Sequence, residues 1–247
     1  MPPPSDDASI PAAGHFATTH WSVVLQAQQR ASPAARDALA ALCRVYWYPL
    51  YAYVRRRVAS ADRAEELTQE FFARLLEKNY LDPVEPARGR FRAFLLACCK
   101  HFLANERDRE HAQKRGGGRT LLPLDFHGAA DRYRREPAHE ETPERLFERR
   151  WALALLDETL ERLRQEYERD GKGALYGRLK GALVGDGAAS YREIGAALGA
   201  SEAAVKKAAQ RLRQRYRELL REQIAATVDG PEQIDDEIRA LFAALGA

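Results

Sequence analysis

The chain has few cysteines, and none of the three is spaced for a metal site or a disulfide framework. Cys98 and Cys99 are adjacent and Cys43 stands alone, so we expect small buried side chains in a reducing compartment. The sequence also lacks a Walker loop, a GxSxG turn and an HExxH pair, which mark nucleotide, ester and peptide chemistry. These absences predict a protein that is not an enzyme and that holds no metal or other cofactor.

No apolar run approaches the roughly 18 residues of a membrane-spanning helix, and segment 1–16 lacks the basic and apolar blocks of a secretory signal. The sequence therefore predicts a cytoplasmic protein without a membrane partner. Its charge is nearly balanced, with 39 Lys or Arg, 36 Asp or Glu and a net charge of +3. A strongly basic surface must therefore come from the local arrangement of charges.

Runs of β-branched residues are also absent, whereas apolar residues recur at helical spacing along most of the chain. This pattern predicts an all-α protein of two small helical domains joined by a flexible linker, the second a four-helix domain with a helix-turn-helix. The predicted parts are a disordered tail at 1–17, a first domain at 18–112, the linker at 113–141, the second domain at 142–224 and an acidic helical extension at 225–247.

The most informative stretch is 190–222, because its spacing predicts two helices joined by a short turn. Ser190 and Glu193 form a capping box at the first helix, and Gly199 can adopt the positive φ that ends it. Ser201 can cap the second helix two residues later. Helices joined so closely are typical of DNA-binding proteins that place the second helix in the major groove.

The second of these helices is strongly basic, with seven Lys or Arg and three Glu between 201 and 222, a local net charge of +4. Apolar residues repeat along it at intervals of three and four, which predicts a buried stripe. The stripe consists of Val205, Ala208, Ala209, Leu212, Tyr216 and Leu219. The candidate DNA contacts on the other side are Ser201, Glu202, Ala203, Lys206, Lys207, Gln210, Arg211 and Arg213. An ordinary helical hairpin with a solvated basic face is the alternative.

In the first domain, two further helices are predicted after an aromatic-rich helix. The helix at 62–78 carries apolar residues on one side, and the residues expected to face solvent are Glu65, Glu66, Gln69, Glu70 and Arg74. The next helix lies in a basic segment, 88–115, which has eight Lys or Arg and three acids, a net charge of +5. Cations there can hold phosphates. We expect the interleaved rings to pack in the core, namely Phe91, Phe94 and Phe102.

Three segments together resemble the extracytoplasmic-function sigma factors of the sigma-70 family. They are EELTQEFFARLLE at 65–77, RGRFRAFLLACCKHFLANERDR at 88–109 and SYREIGAALGASEAAVKKAAQRLR at 190–213. The segments occur in the family's order, and the resemblance covers most of 36–222. It implies a protein that binds core RNA polymerase and directs it to promoters. The chain departs from primary sigma factors, which have adjacent tryptophans where Ala97 and Cys98 stand.

The resemblance also implies a role for each candidate surface. The helix at 62–78 would bind a coiled coil of the polymerase β′ subunit through Glu66, Gln69 and Glu70, although a merely solvated acidic face is the alternative. The basic helix and the loop 79–89 before it would engage the minus-ten promoter element. The candidate minus-ten contacts are Arg90, Arg92, Lys100, His101 and Asn105. The C-terminal helix pair would contact the upstream minus-thirty-five element as duplex DNA.

The segment that follows the basic helix is acidic, with five acids and one base between 223 and 247, a net charge of −4. It predicts a short amphipathic helix. The apolar face of that helix consists of Ile234, Ile238, Leu241, Phe242 and Leu245. This extension either folds back on the second domain or linker and limits access to DNA, or it is a packing extension that completes a small core.

Two other classes of function are weighed against the sigma factor. A conventional regulator would dimerise on operator DNA and use the N-terminal helices as a sensor. A phosphorelay or other signalling enzyme would need a nucleotide-binding or catalytic motif, and the sequence contains none that we recognise. The partners expected for a sigma factor are core RNA polymerase and promoter DNA, and an anti-sigma factor or signalling protein is a third candidate.

Overall fold

The computed structural model describes residues 33–75, 90–112, 128–135, 141–184, 190–228 and 230–246. Its helices are α1 (Pro33–Arg55), α2 (Ala61–Leu75), α3 (Phe91–Ala112), α4 (Ala129–Arg134), α5 (Pro143–Arg169), α6 (Gly173–Leu179), α7 (Gly181–Val184), α8 (Tyr191–Leu198), α9 (Glu202–Ala225) and α10 (Ile234–Ala244). A single 3-10 turn, Pro231–Gln233, leads into α10. The described ranges contain no strand, which confirms the all-α prediction. None of the helices in these ranges is long and apolar enough to cross a membrane.

Two hydrophobic clusters hold the described helices together. The first joins α1, α2 and α3 to the first half of α5 around fully buried rings such as Tyr46, Phe71 and Trp151. The second joins the other half of α5 to α6, α8 and the part of α9 from Val205 to Leu219, through residues that include Leu163 and Ile194. Burying such side chains contributes about 1.5 to 3 kcal/mol each.

Helices α5 and α9 both take part in the two clusters. With 27 residues, α5 is about 40 Å long, so it can reach from one cluster to the other. Near the C-terminal end of α9, Leu220 and Ile224 pack in the first cluster, whereas Val205 and Leu212 near its start pack in the second. The predicted DNA-reading helix is therefore anchored at its far end against the first cluster.

Part of the segment predicted to be a linker is helical. Within it, α4 packs on α1: the guanidinium carbon of Arg132 lies 3.8 Å from the ring centroid of Tyr48, and the rings of Tyr133 and Tyr51 meet edge to face at 6.4 Å. Residues 113–127 and 136–140 lie outside the described residues, as do the tail 1–17 and the loop 79–89. The predicted domain limits stay a prediction.

The three cysteines are buried and free, as the sequence predicts. Burial raises the pKa of the Cys43 thiol to about 12 and that of Cys98 to about 11. It also raises the pKa of Cys99, which has no exposed surface. Because the thiolate is the reactive form, these side chains act as small apolar groups in the first cluster.

Arg74 is predicted to face solvent, and this prediction is wrong. The residue is only 6 % exposed, and its Nη2 donates to Glu70 Oε1 at 2.5 Å and to Glu106 Oε1 at 2.6 Å. Its guanidinium also lies 4.9 Å from the Phe102 ring centroid. Burial by itself lowers the pKa of Arg74, but the two carboxylates raise it above its ordinary value. Periodicity within α2 could not reveal the partner on α3.

Candidate nucleic-acid and polymerase surfaces

The turn between α8 and α9 forms through the side chains that the sequence predicts. The Ser190 hydroxyl accepts a hydrogen bond from the Glu193 amide at 3.3 Å, and the Glu193 carboxylate accepts one from the Ser190 amide at 2.8 Å. Gly199 ends α8 with φ of 62°, and Ser201 Oγ accepts from the Ala204 amide at 3.2 Å. The backbone and side chain of Ser190 lower the pKa of Glu193. The predicted caps are confirmed.

The turn also depends on Gly195, which the sequence interpretation missed. The Ala200 amide donates to the Gly195 carbonyl at 2.9 Å and folds the turn back onto α8. A Cβ at Gly195 would stand 2.6 Å from the Ala200 carbonyl oxygen, closer than real Cβ atoms approach. The obstacle is backbone, so it cannot rotate away. A glycine is therefore required at the contact that sets how closely α9 follows α8.

We expect Gly195→Ala to lower the free energy of unfolding by about 1 to 3 kcal/mol, because the added methyl overpacks the turn. Gly177→Ala is the matched control, since a Cβ there meets nothing within 4 Å and alanine favours the helix. Urea denaturation followed by circular dichroism measures both changes. A Gly195→Ala protein as stable as Gly177→Ala would show that the turn can relax.

Helix α9 buries its predicted stripe and exposes most of its candidate DNA contacts. Val205, Ala209, Leu212 and Leu219 are buried, and Ala208 and Tyr216 are partly buried against the second cluster. The exposed candidates are Ser201, Glu202, Ala203, Lys206, Lys207, Gln210 and Arg211. Lys206 Nζ lies 2.8 Å from Glu202 Oε1. An open groove of about 490 Å³ follows this face; its lining includes Gln210, Arg211, Arg213 and Gln214.

Two arginines of α9 are partly occupied by contacts inside the protein. Arg213 is partly buried, and its Nη2 donates to the Tyr191 hydroxyl at 3.2 Å. Arg215 forms two hydrogen bonds to Glu166 of α5, at 2.8 and 2.9 Å, and holds the pKa of Glu166 below its usual range. Parallel bonds of this kind fix orientation as well as charge. Arg215 therefore positions α9 on α5, and the exposed charge near the start of α9 comes mainly from Lys206, Lys207 and Arg211.

Helix α3 presents part of the candidate minus-ten set to solvent. Lys100, His101 and Asn105 are exposed, and Lys100 Nζ lies 3.0 Å from Glu144 Oε1 on α5. The three interleaved rings are buried, which confirms their predicted place in the core: Phe91, Phe94 and Phe102. The loop 79–89, which the resemblance also assigns to the minus-ten element, lies outside the described residues.

Arg92 does not face solvent, although it is predicted to contact the minus-ten element. It is 5 % exposed; its Nε donates to Glu148 Oε2 at 2.5 Å and its Nη1 to Glu237 Oε1. Its guanidinium carbon lies 4.3 Å from the Trp151 ring centroid. Burial by itself lowers the pKa of Arg92, but the two carboxylates raise it above its ordinary value. In this structure Arg92 joins α3 to α5 and α10.

The candidate polymerase-binding face on α2 is only partly available. Glu66 is exposed and pairs with Arg63 at 3.0 Å, and Gln69 is partly buried. Glu70 is also partly buried, and it is bound to Arg74. Glu66 and Gln69 therefore offer the more accessible contacts, whereas Glu70 has a structural role as well.

Glu237 and Glu148 are functional candidates that the sequence interpretation missed. Each lies far along the chain from Arg92, by 145 and 56 residues respectively, so no helical spacing connects them. For Glu237 the available signal was the acidic character of 223–247; Glu148 lies outside that segment. The amphipathic helix predicted there does form, as α10. One member of its predicted apolar face is misplaced, since Phe242 is 45 % exposed, while Leu241 is fully buried.

The family model described as ECF sigma factor matches residues 21–222, which is most of the chain and includes α8 and all but the last three residues of α9. No curated protein matches, and no solved structure matches.

Proposed function

The chain belongs to the ECF sigma factor family, and we propose that it directs core RNA polymerase to promoters by binding two DNA elements. Helix α2 binds a coiled coil of the β′ subunit. The exposed side of α3 contacts the minus-ten element, and α8 with α9 contacts the minus-thirty-five element as duplex DNA. The protein contributes recognition, and the polymerase contributes the chemistry.

The observation that carries this proposal is the capped helix pair with a basic, exposed second helix inside the family match. Its first turn carries small residues, Ala203 and Ala204, both exposed, which permit close approach to base edges. Lys207 and Gln210 follow on the exposed side, where an amide can pair with adenine and a cation with phosphate or guanine. An upstream DNA element is the ligand that this combination suits best.

The use of two surfaces has a physical consequence for affinity. Contacts of α3 and α9 with separate promoter elements are each weak, but joining them in one chain, held on polymerase, raises their effective concentration. The protein alone is therefore expected to bind promoter DNA weakly and in a salt-dependent manner. Holoenzyme binding should be much tighter.

Pull-down of core polymerase followed by run-off transcription from genomic fragments tests the proposed function. We expect the protein to bind core enzyme and to start transcripts at defined sites that share two spaced elements. A palindromic footprint made by the protein without polymerase, together with no run-off product, would favour the dimeric operator-binding regulator instead.

Within that assay, Glu66→Lys tests the α2 face directly. We expect core affinity to fall about tenfold, because a basic partner helix would meet a cation in place of a carboxylate. Asp157→Lys is the matched control, since it makes the same charge reversal at an exposed site on α5. Glu70 is not suitable, because its loss would also disturb buried Arg74. Equal core affinity for the two variants would contradict the assignment of this face.

A further inference from the structure

The C-terminal helix α10 contacts the start of α3 as well as α5 and α9. It packs against α5 and α9, with Leu241 fully buried and Ile234, Ile238 and Leu245 partly buried on the first cluster. Just before it, the Thr227 carbonyl accepts a hydrogen bond from the Phe91 amide at 3.0 Å. The end of the predicted reading helix and the start of the predicted minus-ten helix are thus in direct contact.

Glu237 is the centre of this attachment. Its side chain has no exposed surface, and its two oxygens are shared between two arginines at the start of α3: Oε1 accepts from Arg92, and Oε2 lies 2.9 Å from Arg90 Nε. Arg92 also binds Glu148 on α5. Two cations and two anions from three distant parts of the chain therefore meet in one cluster.

The contacts that hold α10 in place can be broken at a low cost in free energy. Burying charges costs solvation free energy that the attraction between them only partly repays, so a buried ion pair often contributes little net stability. The apolar contact of α10 is also small, since only one of its large side chains, Leu241, is fully buried among the described residues; a leucine contributes about 1.5 to 3 kcal/mol. Detaching α10 thus costs far less than unfolding the protein.

The two guanidinium groups that Glu237 binds, those of Arg90 and Arg92, could also bind the phosphates of a nucleic acid. Guanidinium groups bind carboxylates and phosphates with the same donor geometry. While Glu237 is in place, Arg92 is buried and Arg90 is engaged. A phosphate backbone approaching the start of α3, on the side where Lys100 pairs with Glu144, would find Arg92 buried and the partly exposed Arg90 already paired with the Glu237 carboxylate.

We propose that α10 is a removable clamp whose Glu237 occupies Arg90 and Arg92 in the free protein, and that nucleic-acid phosphates displace it. The clamp rests on the proposed function for the identity of the natural ligand, promoter DNA. In the closed form it joins α3 to α5 and to the end of α9, and it weakens the binding of nucleic acid by the free protein, because the phosphates must first displace Glu237.

The test compares Glu237→Gln with Asp236→Asn in the full chain. Asp236 lies on the same helix, but it is exposed and pairs with Arg239, so the control removes the same charge without touching α3. The probe is a fluorescein-labelled single-stranded oligothymidine, and binding is followed by anisotropy at low and high salt. We expect Glu237→Gln to bind about five- to tenfold more tightly than wild type at low salt, with a smaller gain at high salt, and Asp236→Asn to bind as wild type does.

Equal affinities of the two variants, whether both unchanged or both raised, would overturn the clamp, because the effect would then be absent or due to net charge alone. Hydrogen exchange of the wild-type chain gives a second measurement that does not depend on any variant folding. Saturating oligothymidine should speed exchange in α10; unchanged protection there would also overturn the proposal. Run-off transcription is measured separately, so a failure of promoter-directed initiation is distinguishable from a failure of the clamp.

Discussion

Replacing Arg74 by methionine is expected to lower the free energy of unfolding by about 2 to 3 kcal/mol. Methionine retains much of the apolar stem of Arg74, so the loss comes from the guanidinium group, which lies over the Phe102 ring and binds two carboxylates. Without the guanidinium, the carboxylates of Glu70 and Glu106 lose the buried cation that they share, although Glu106 keeps its pair with the exposed Arg109. Breaking a buried pair by removing one partner is costly, because the other charge stays buried.

Arg109→Met provides the matched control for this effect. Arg109 binds the same carboxylate, Glu106 Oε1 at 2.8 Å, but its side chain is largely exposed. Exposed ion pairs contribute little, so this variant should lie within about 0.5 kcal/mol of wild type. Urea denaturation of the three proteins measures the difference. If Arg74→Met lost no more stability than Arg109→Met, the buried cluster would not stabilise the packing of α2 on α3.

Replacing Lys207 and Gln210 by alanine is the second change with a large expected effect, here on promoter recognition. Both residues are exposed on α9, and Gln210 lines the groove. If Gln210 contacts a base, its loss should cost about 1 to 3 kcal/mol at the preferred sequence and relax the preference at one position. If Lys207 contacts phosphate, its loss should weaken all sequences alike and reduce the salt slope by about one.

The measurement is binding of holoenzyme to promoter fragments with single-base changes, at several salt concentrations. Arg162→Ala is the control, because it removes an exposed cation from α5 that pairs with Glu158. On a template melted in advance, the Lys207 and Gln210 defects should persist, whereas the defect of Asn105→Ala on α3 should shrink. If all of these variants showed the same defect on that template, the division of labour between α3 and α9 would be contradicted.

Local sequence signals predicted the caps of α8 and α9 correctly. Capping by Ser190, Glu193 and Ser201, and the positive φ of Gly199, depend on neighbours three or four residues away, so a linear pattern contains the needed information. The same holds for the buried stripe of α9, which follows from helical periodicity. Gly195 was missed because its requirement arises from a backbone contact across the turn and not from a helix propensity.

The sequence by itself determined the helical class, the caps, the buried faces and, through the order of three motifs, the resemblance to the sigma factor family. The tertiary structure alone decided which charged residues are available. Arg74 and Arg92 appear in the sequence as exposed cations, yet each is buried because carboxylates from other helices meet it. Burial of a charge depends on a partner that compensates its lost hydration, and the partners lie 32 residues away for Arg74 and 145 for Arg92. Only folding brings such pairs together, which is why the tail's contact with the candidate minus-ten surface could not be predicted from spacing.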